Sequence, residues 1–133
     1  MCESGLPITS PLGREWDILI LNSYGKLNWT QFTNHLVQGT GADVMTIARI
    51  SFYNRVKKAG LLHIIKHVQT VHDSVAVDCP DEHVQWVVNQ FHDVFATIPK
   101  NIKKLFGYEW VVPLQCETYG GLNQKEVVDL FPQ

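Results

Sequence analysis

Ile64-Ile65-Lys66-His67-Val68-Gln69-Thr70-Val71-His72-Asp73-Ser74-Val75-Ala76-Val77-Asp78 is the stretch that decides how this chain folds. Apolar and polar residues interleave from Ile64 to Val71 and alternate again from Ser74 to Asp78, with only His72-Asp73 between the two runs. Two stretches of period two joined by two residues predict a tight antiparallel hairpin with Asp73 at its tip.

Working outward, a long helix is predicted over residues 40–59, entered through an irregular stretch at 34–39. Val44, Ala48, Phe52 and Val56 line one stripe of it, and Gly60 closes it. Arg49, Arg55, Lys57 and Lys58 make its second half locally basic. On the other side of the hairpin, Cys79-Pro80-Asp81-Glu82 reads as a helix start. Val84, Val87, Val88, Phe91, Phe95 and Ile98 recur at helical spacing up to Pro99. A short basic helix (100–106), a strand (110–117), a turn at Tyr119-Gly120-Gly121 and a last helical turn (125–130) are expected beyond it. Near the other end, Pro7-Ile8-Thr9-Ser10-Pro11-Leu12-Gly13-Arg14 places extended runs around a Pro and Gly turn, with Trp16, Ile18 and Ile20 expected on one face. Hairpin, helix, hairpin, helix, strand make a single α+β domain over residues 1–133, with two main helices packed on one face of a small antiparallel sheet.

Composition narrows the function classes. The 133 residues are 45% hydrophobic and 18% charged, which suits one folded domain. Thirteen acidic against eleven basic residues leave a net charge of -2, so no overall positive field holds a polyanion. The longest aliphatic run, Ile18-Leu19-Ile20-Leu21, is far below the roughly 18 residues of a membrane span, and Met1 to Gly5 lacks a signal pattern. A cytoplasmic location with no membrane partner is therefore expected. Cys2, Cys79 and Cys116 are odd in number with no Cys-x-x-Cys pair, as for reduced thiols.

Two features carry chemistry. Asp73 on a two-residue turn is held on a stiff apex, which suits a metal-ligating carboxylate; equally, Asp tolerates turn geometry for its own sake. In Asn34-His35-Leu36-Val37-Gln38-Gly39-Thr40-Gly41-Ala42-Asp43 the glycines allow close backbone approach. Asn34 and Gln38 each carry donors and acceptors able to meet the acceptors in the minor groove of any base pair. The bland alternative makes Asn34 and Gln38 helix-entry residues, with Thr40 as N-cap and Asp43 completing a capping box. A zinc site from Cys79 and the histidines is disfavoured, since His63 and His67 fall in or beside a strand and no second pair has suitable spacing; His83 and His92 are expected on the wet side of their helix.

Taken together, the Asn34 to Asp43 stretch and, about thirty residues on, Thr70-Val71-His72-Asp73-Ser74-Val75 resemble family A DNA polymerases of the phage and bacterial DNA polymerase I type. Pro7 to Arg14 resembles the hairpin ending in Gly-Arg that precedes the glutamine helix. Val112-Pro113-Leu114-Gln115-Cys116-Glu117 with Gly120-Gly121-Leu122-Asn123 resembles the closing strand and terminal turn. Nearly the whole chain is covered, as the C-terminal palm portion of such an enzyme with its palm-type sheet.

The resemblance implies that Asp73 is the motif C carboxylate ligating catalytic Mg²⁺ and that His72 lies beside the primer terminus. Asn34 and Gln38 would touch the minor groove of the primer-template DNA, and Arg14 would approach its backbone. The implied reaction is attack of a primer 3′ hydroxyl on the α-phosphorus of a dNTP, with two Mg²⁺ ions sharing the charge. Ser74 stands where many relatives have Glu, and Thr30 where many have a basic residue.

Motif A, with the second metal-binding aspartate, and motif B, with the cationic nucleotide clamp, are not found. The isolated chain is therefore expected not to extend a primer. Starting at Met1 and ending soon after the expected terminal turn, it is expected to be one part of a split polymerase, whose upstream fragment carries motifs A and B, or a truncated remnant. On the split account an exposed apolar patch follows. The contrasting expectation is a catalytically idle DNA-binding or assembly module.

Overall fold

The computed structural model describes residues 8–16, 28–123 and 125–129. The face expected to join Trp16, Ile18 and Ile20 lies outside the described residues. Element order is β1 (Ile8–Thr9), β2 (Glu15–Trp16), α1 (Trp29–Lys58), β3 (Lys66–Val71), β4 (Ser74–Asp78), a 3-10 turn (Asp81–His83), α2 (Val84–Phe106), β5 (Tyr119–Asn123) and β6 (Glu126–Asp129). The domain is α+β; the described residues form two long helices and antiparallel strands in three two-stranded ribbons, β1-β2, β3-β4 and β5-β6. Among the described residues no helix is long and apolar enough to cross a membrane.

Helix α1 starts well before residue 40. Asn28 is its N-cap, accepting from the Gln31 amide at 3.3 Å, and the helix runs unbroken through Gly39-Thr40-Gly41 to Lys58. Thr40 therefore does not cap; its hydroxyl donates to the Leu36 carbonyl one turn back, at 2.6 Å. Each helix-interior glycine costs about 1 kcal/mol relative to alanine. That cost is too small to end a helix whose second half is anchored in the core. Gly60, at φ +73°, ends α1 as expected: its amide donates to Lys57 and that of Leu61 to Val56, the paired bonds of a Schellman motif.

Helix α2 likewise passes the boundary the sequence suggests. Pro99 lies inside it, so residues 84–98 and 100–106 form one helix. Proline forfeits the amide bond to the carbonyl four residues back, costing about 3 kcal/mol. Ile98 and Ile102, both 0% exposed on either side of it, offset that loss by about 1.5–3 kcal/mol apiece. Val44, Ala48, Phe52 and Val56 of α1 meet Val87, Val94, Ile98 and Ile102 of α2 in the main core, joined by Leu12 and Ile65. Phe52 and Phe91 stack at 4.1 Å with an interplanar angle of 11°. Arg55 spans the same seam, reaching Gln90 at 3.1 Å and pairing with Asp93.

The C-terminal elements differ from expectation. Residues 110–117 form no strand, and the described part of the expected helical turn, 125–129, is not helical. Instead β5 and β6 make a hairpin. Asn123 Oδ1 accepts from the amides of Lys125 and Glu126, each at 2.9 Å, a local turn that competes with helix formation just ahead of the β-branched pair Val127-Val128. His83 and His92 are half-buried rather than on the wet side; the His92 ring faces the Thr118 hydroxyl at 3.4 Å.

Candidate functional site

The β3-β4 hairpin has the two-residue turn its sequence predicts, with Val71 opposite Ser74. His72 takes φ +50°, the left-handed region that a tight hairpin turn demands and that His tolerates better than most residues. Ser74 Oγ donates to the Val71 carbonyl at 2.9 Å and so fastens the tip. His72 and Asp73 are both exposed, and Asp73 sits at the outer end of the ribbon. Among the described residues no group of three or more His, Cys, Asp or Glu is arranged to hold a metal ion. Magnesium is commonly held by one or two carboxylates together with waters and substrate phosphates. Asp73 offers one carboxylate at the tip, with no set of three such donors clustered around it among the described residues.

Asn34 and Gln38 both lie on α1, one turn apart and exposed. At about 100° per residue, Asn34, Gln38, Gly41, Met45 and Arg49 fall within about 80° of one another around the helix axis. No residue from Trp29 to Asp43 is buried, and a Cβ placed on Gly41 would meet nothing within 4 Å. The close approach that Gly41 permits is thus not used by another element of this chain. Continued along the helix, the same face carries Phe52 and Val56, which are buried against α2. The stripe begins open and ends as core.

Arg49 sits where the stripe changes character. Its Nη1 donates to Thr70 Oγ1 of β3 at 3.4 Å, and the same hydroxyl lies 2.8 Å from His67 Nε2. The helix face bearing Asn34 and Gln38 and the hairpin bearing Asp73 are therefore linked through a residue three positions from the tip. In the sequence Arg49 stands out only as part of a basic run; its spacing from Asn34, Gln38 and Met45 on one helical face is the signal that marks it. From Val44 to His72 the chain carries Arg49, Arg55, Lys57, Lys58 and Lys66 and no acidic residue, a local positive stretch in a chain of net charge -2.

Arg14 is half-exposed and ion-paired within the chain. Ser10, 4% exposed, accepts from the Leu12 and Arg14 amides at 3.3 and 3.1 Å, shaping the β1-β2 loop so that Leu12 enters the core. Arg14 then pairs with Asp43 of α1, its Nε lying 3.0 and 3.1 Å from the two carboxylate oxygens. That contact raises the Arg14 pKa further and ties up much of its guanidinium fork. Asp43 is accordingly no capping-box residue.

Comparison with protein-family models, curated proteins and solved structures gives no match for this chain.

Proposed function

We propose that this chain is the C-terminal palm portion of a family A DNA polymerase, acting with a companion polypeptide that carries motifs A and B. The observation that carries the reading is the α1 face on which Asn34, Gln38 and Gly41 stand open and which runs into Arg49, itself bonded to the ribbon of Asp73. Minor-groove contact would come from Asn34 and Gln38, and Gly41 would let a duplex approach the helix backbone closely. Two glycines inside α1 cost helix stability without a packing return at Gly41, the kind of local inconsistency found at functional sites. Asp73 would present one oxygen ligand for the Mg²⁺ pair beside the primer 3′ end and the incoming dNTP, with His72 alongside. Arg14, half-exposed and held by Asp43 on α1, would approach the backbone of the primer-template from there.

Val68 of β3 is 66% exposed, Val111 84% and Leu122 95%, apolar side chains that a companion would be able to cover. A second reading is a catalytically idle duplex-binding module, which would use the same open α1 face of Asn34 and Gln38 and no metal at Asp73.

Reconstitution separates the two. The chain is mixed with the polypeptide encoded by the adjacent upstream reading frame, and Mg²⁺-dependent primer extension is followed for the native protein and for Asp73→Asn. Extension lost in Asp73→Asn with duplex binding retained supports the polymerase; duplex binding without extension in either form supports the idle module.

A further inference from the structure

We infer that Arg49, Thr70 and His67 form a binding site for a phosphate group. The site does not depend on the polymerase reading; it follows from an arginine that lacks a counter-charge. Of the three arginines in the chain, Arg14 is paired with Asp43 and Arg55 with Asp93, whereas Arg49 meets no carboxylate among the described residues. Arg49 is half-buried, and its Nε is buried with no hydrogen-bond partner. Charges drawn out of water are normally paired, and an unpaired buried donor is unfavourable. No acidic residue occurs between Val44 and His72, so neither the second half of α1 nor β3 supplies the missing negative charge.

The hairpin sets two further groups beside this guanidinium. Residues three apart in a regular strand point to opposite faces, which would separate His67 from Thr70. Here the register of β3 against β4 shifts: His67 lies opposite Val77 and Gln69 opposite Ala76, so two steps on β3 match one on β4. That is a bulge, a device that re-aims strand side chains and is common next to binding and active sites. Thr70 Oγ1 thereby lies 2.8 Å from His67 Nε2 while accepting from Arg49 Nη1 at 3.4 Å. His67 and Thr70 are exposed, so the cluster opens to solvent.

The donor set selects the ligand. With His67 Nε2 donating, both lone pairs of the Thr70 hydroxyl are filled and its hydrogen is left to donate outward. The exposed Lys66, one residue before His67, adds positive charge. A tetrahedral oxyanion, with several acceptor oxygens around one centre, meets a guanidinium and a hydroxyl together better than a lone carboxylate does, and guanidinium is well matched to phosphate. The phosphate comes either from a nucleic-acid backbone or from free phosphate.

NMR titration of the isotope-labelled full chain tests the site. Inorganic phosphate should shift the Arg49 side-chain signal and the Thr70 and His67 amides saturably, and chloride or acetate at the same ionic strength should not. Arg49→Gln should weaken phosphate binding at least about tenfold, the scale of a lost charge-assisted bond. Lys58→Gln removes the same charge from the same helix nine residues on, beyond the reach of a screened interaction, and should weaken it less than about twofold. Thr70→Ala, at an exposed position, should weaken it about threefold or more and gives a second measure should Arg49→Gln fail to fold. A short DNA duplex that displaces phosphate and shifts the same three residues assigns the site to a nucleic-acid backbone; a phosphate shift that the duplex leaves in place assigns it to free phosphate. No saturable shift with either ligand, or equal weakening in Arg49→Gln and Lys58→Gln, overturns the site. Primer extension by the reconstituted complex is read separately, so loss of this site leaves the polymerase reading standing.

Discussion

Arg14 and Asp43, 29 residues apart in sequence, lock the β1-β2 hairpin to helix α1 through a forked guanidinium–carboxylate contact. The contact joins the Gly-Arg hairpin to the last residue of the Asn34 to Asp43 stretch. Replacing either partner with Ala should lower the melting temperature in low salt, and the difference should shrink toward zero at about 1 M salt, where exposed charges are screened. Arg14→Asp combined with Asp43→Arg should recover part of the loss. A melting series of the two single variants and the exchange checks this.

Asp73 stands at an exposed tip and supports no packing. Asp73→Asn in the isolated chain should therefore shift unfolding by no more than about 0.5 kcal/mol. His72→Val should destabilise by about 1–2 kcal/mol, because a β-branched residue is strained at φ +50°, whereas His72→Gly should be tolerated. Denaturant titrations of the three variants would show whether the tip is built for position rather than stability.

Asn34→Ala and Gln38→Ala remove exposed side chains from a helix and add a strong helix former, so α1 should be as stable as before or slightly more so. Duplex affinity of the reconstituted complex should fall about threefold to tenfold for each, the value of one hydrogen bond of about 0.5–1.5 kcal/mol. Fluorescence anisotropy with a short duplex, alongside circular dichroism, reads both quantities.

Ile98 is 0% exposed at the α1–α2 seam. Ile98→Ala should destabilise by about 2–5 kcal/mol, a large share of the about 5–15 kcal/mol that holds a typical domain. Urea unfolding followed by tryptophan fluorescence measures it, and a change below about 1 kcal/mol would contradict the assigned core.

Burial pushes the Cys79 and Cys116 thiols above their ordinary range, with Asp78 and Asp81 adding to the rise at Cys79. A raised folded-state pKa means the folded chain holds these protons more tightly than the unfolded chain. The resulting stability is fully present below about pH 8.5, the ordinary thiol value, and is lost as pH rises through the folded values. Unfolding midpoints should accordingly fall above that pH, less so in a Cys79→Ala and Cys116→Ala variant. Alkylation near neutral pH should be slower than for a free thiol.

Much of this architecture could be read from local pattern. The His72-Asp73 turn, the β1-β2 hairpin and the apolar stripes Val44-Ala48-Phe52-Val56 and Val87-Phe91-Ile98 depend on periodicity and turn chemistry carried by neighbouring residues. Helix ends were less legible. Gly39, Gly41 and Pro99 oppose helix locally by a few kcal/mol, and the buried contacts of Phe52, Ile98 and Ile102, distant in sequence, outweigh them. Residues 110–117 have strand composition but no ladder partner among the described residues, because pairing needs a second backbone that no local pattern can supply. Composition and spacing by themselves determined an α+β chain with a carboxylate on a stiff turn and amides on a helix. Only the tertiary structure decided that Asn34 and Gln38 stand on an open face reaching Arg49 and Thr70, and that Arg14 is held by Asp43, since such relationships depend on how separate elements come to rest against one another.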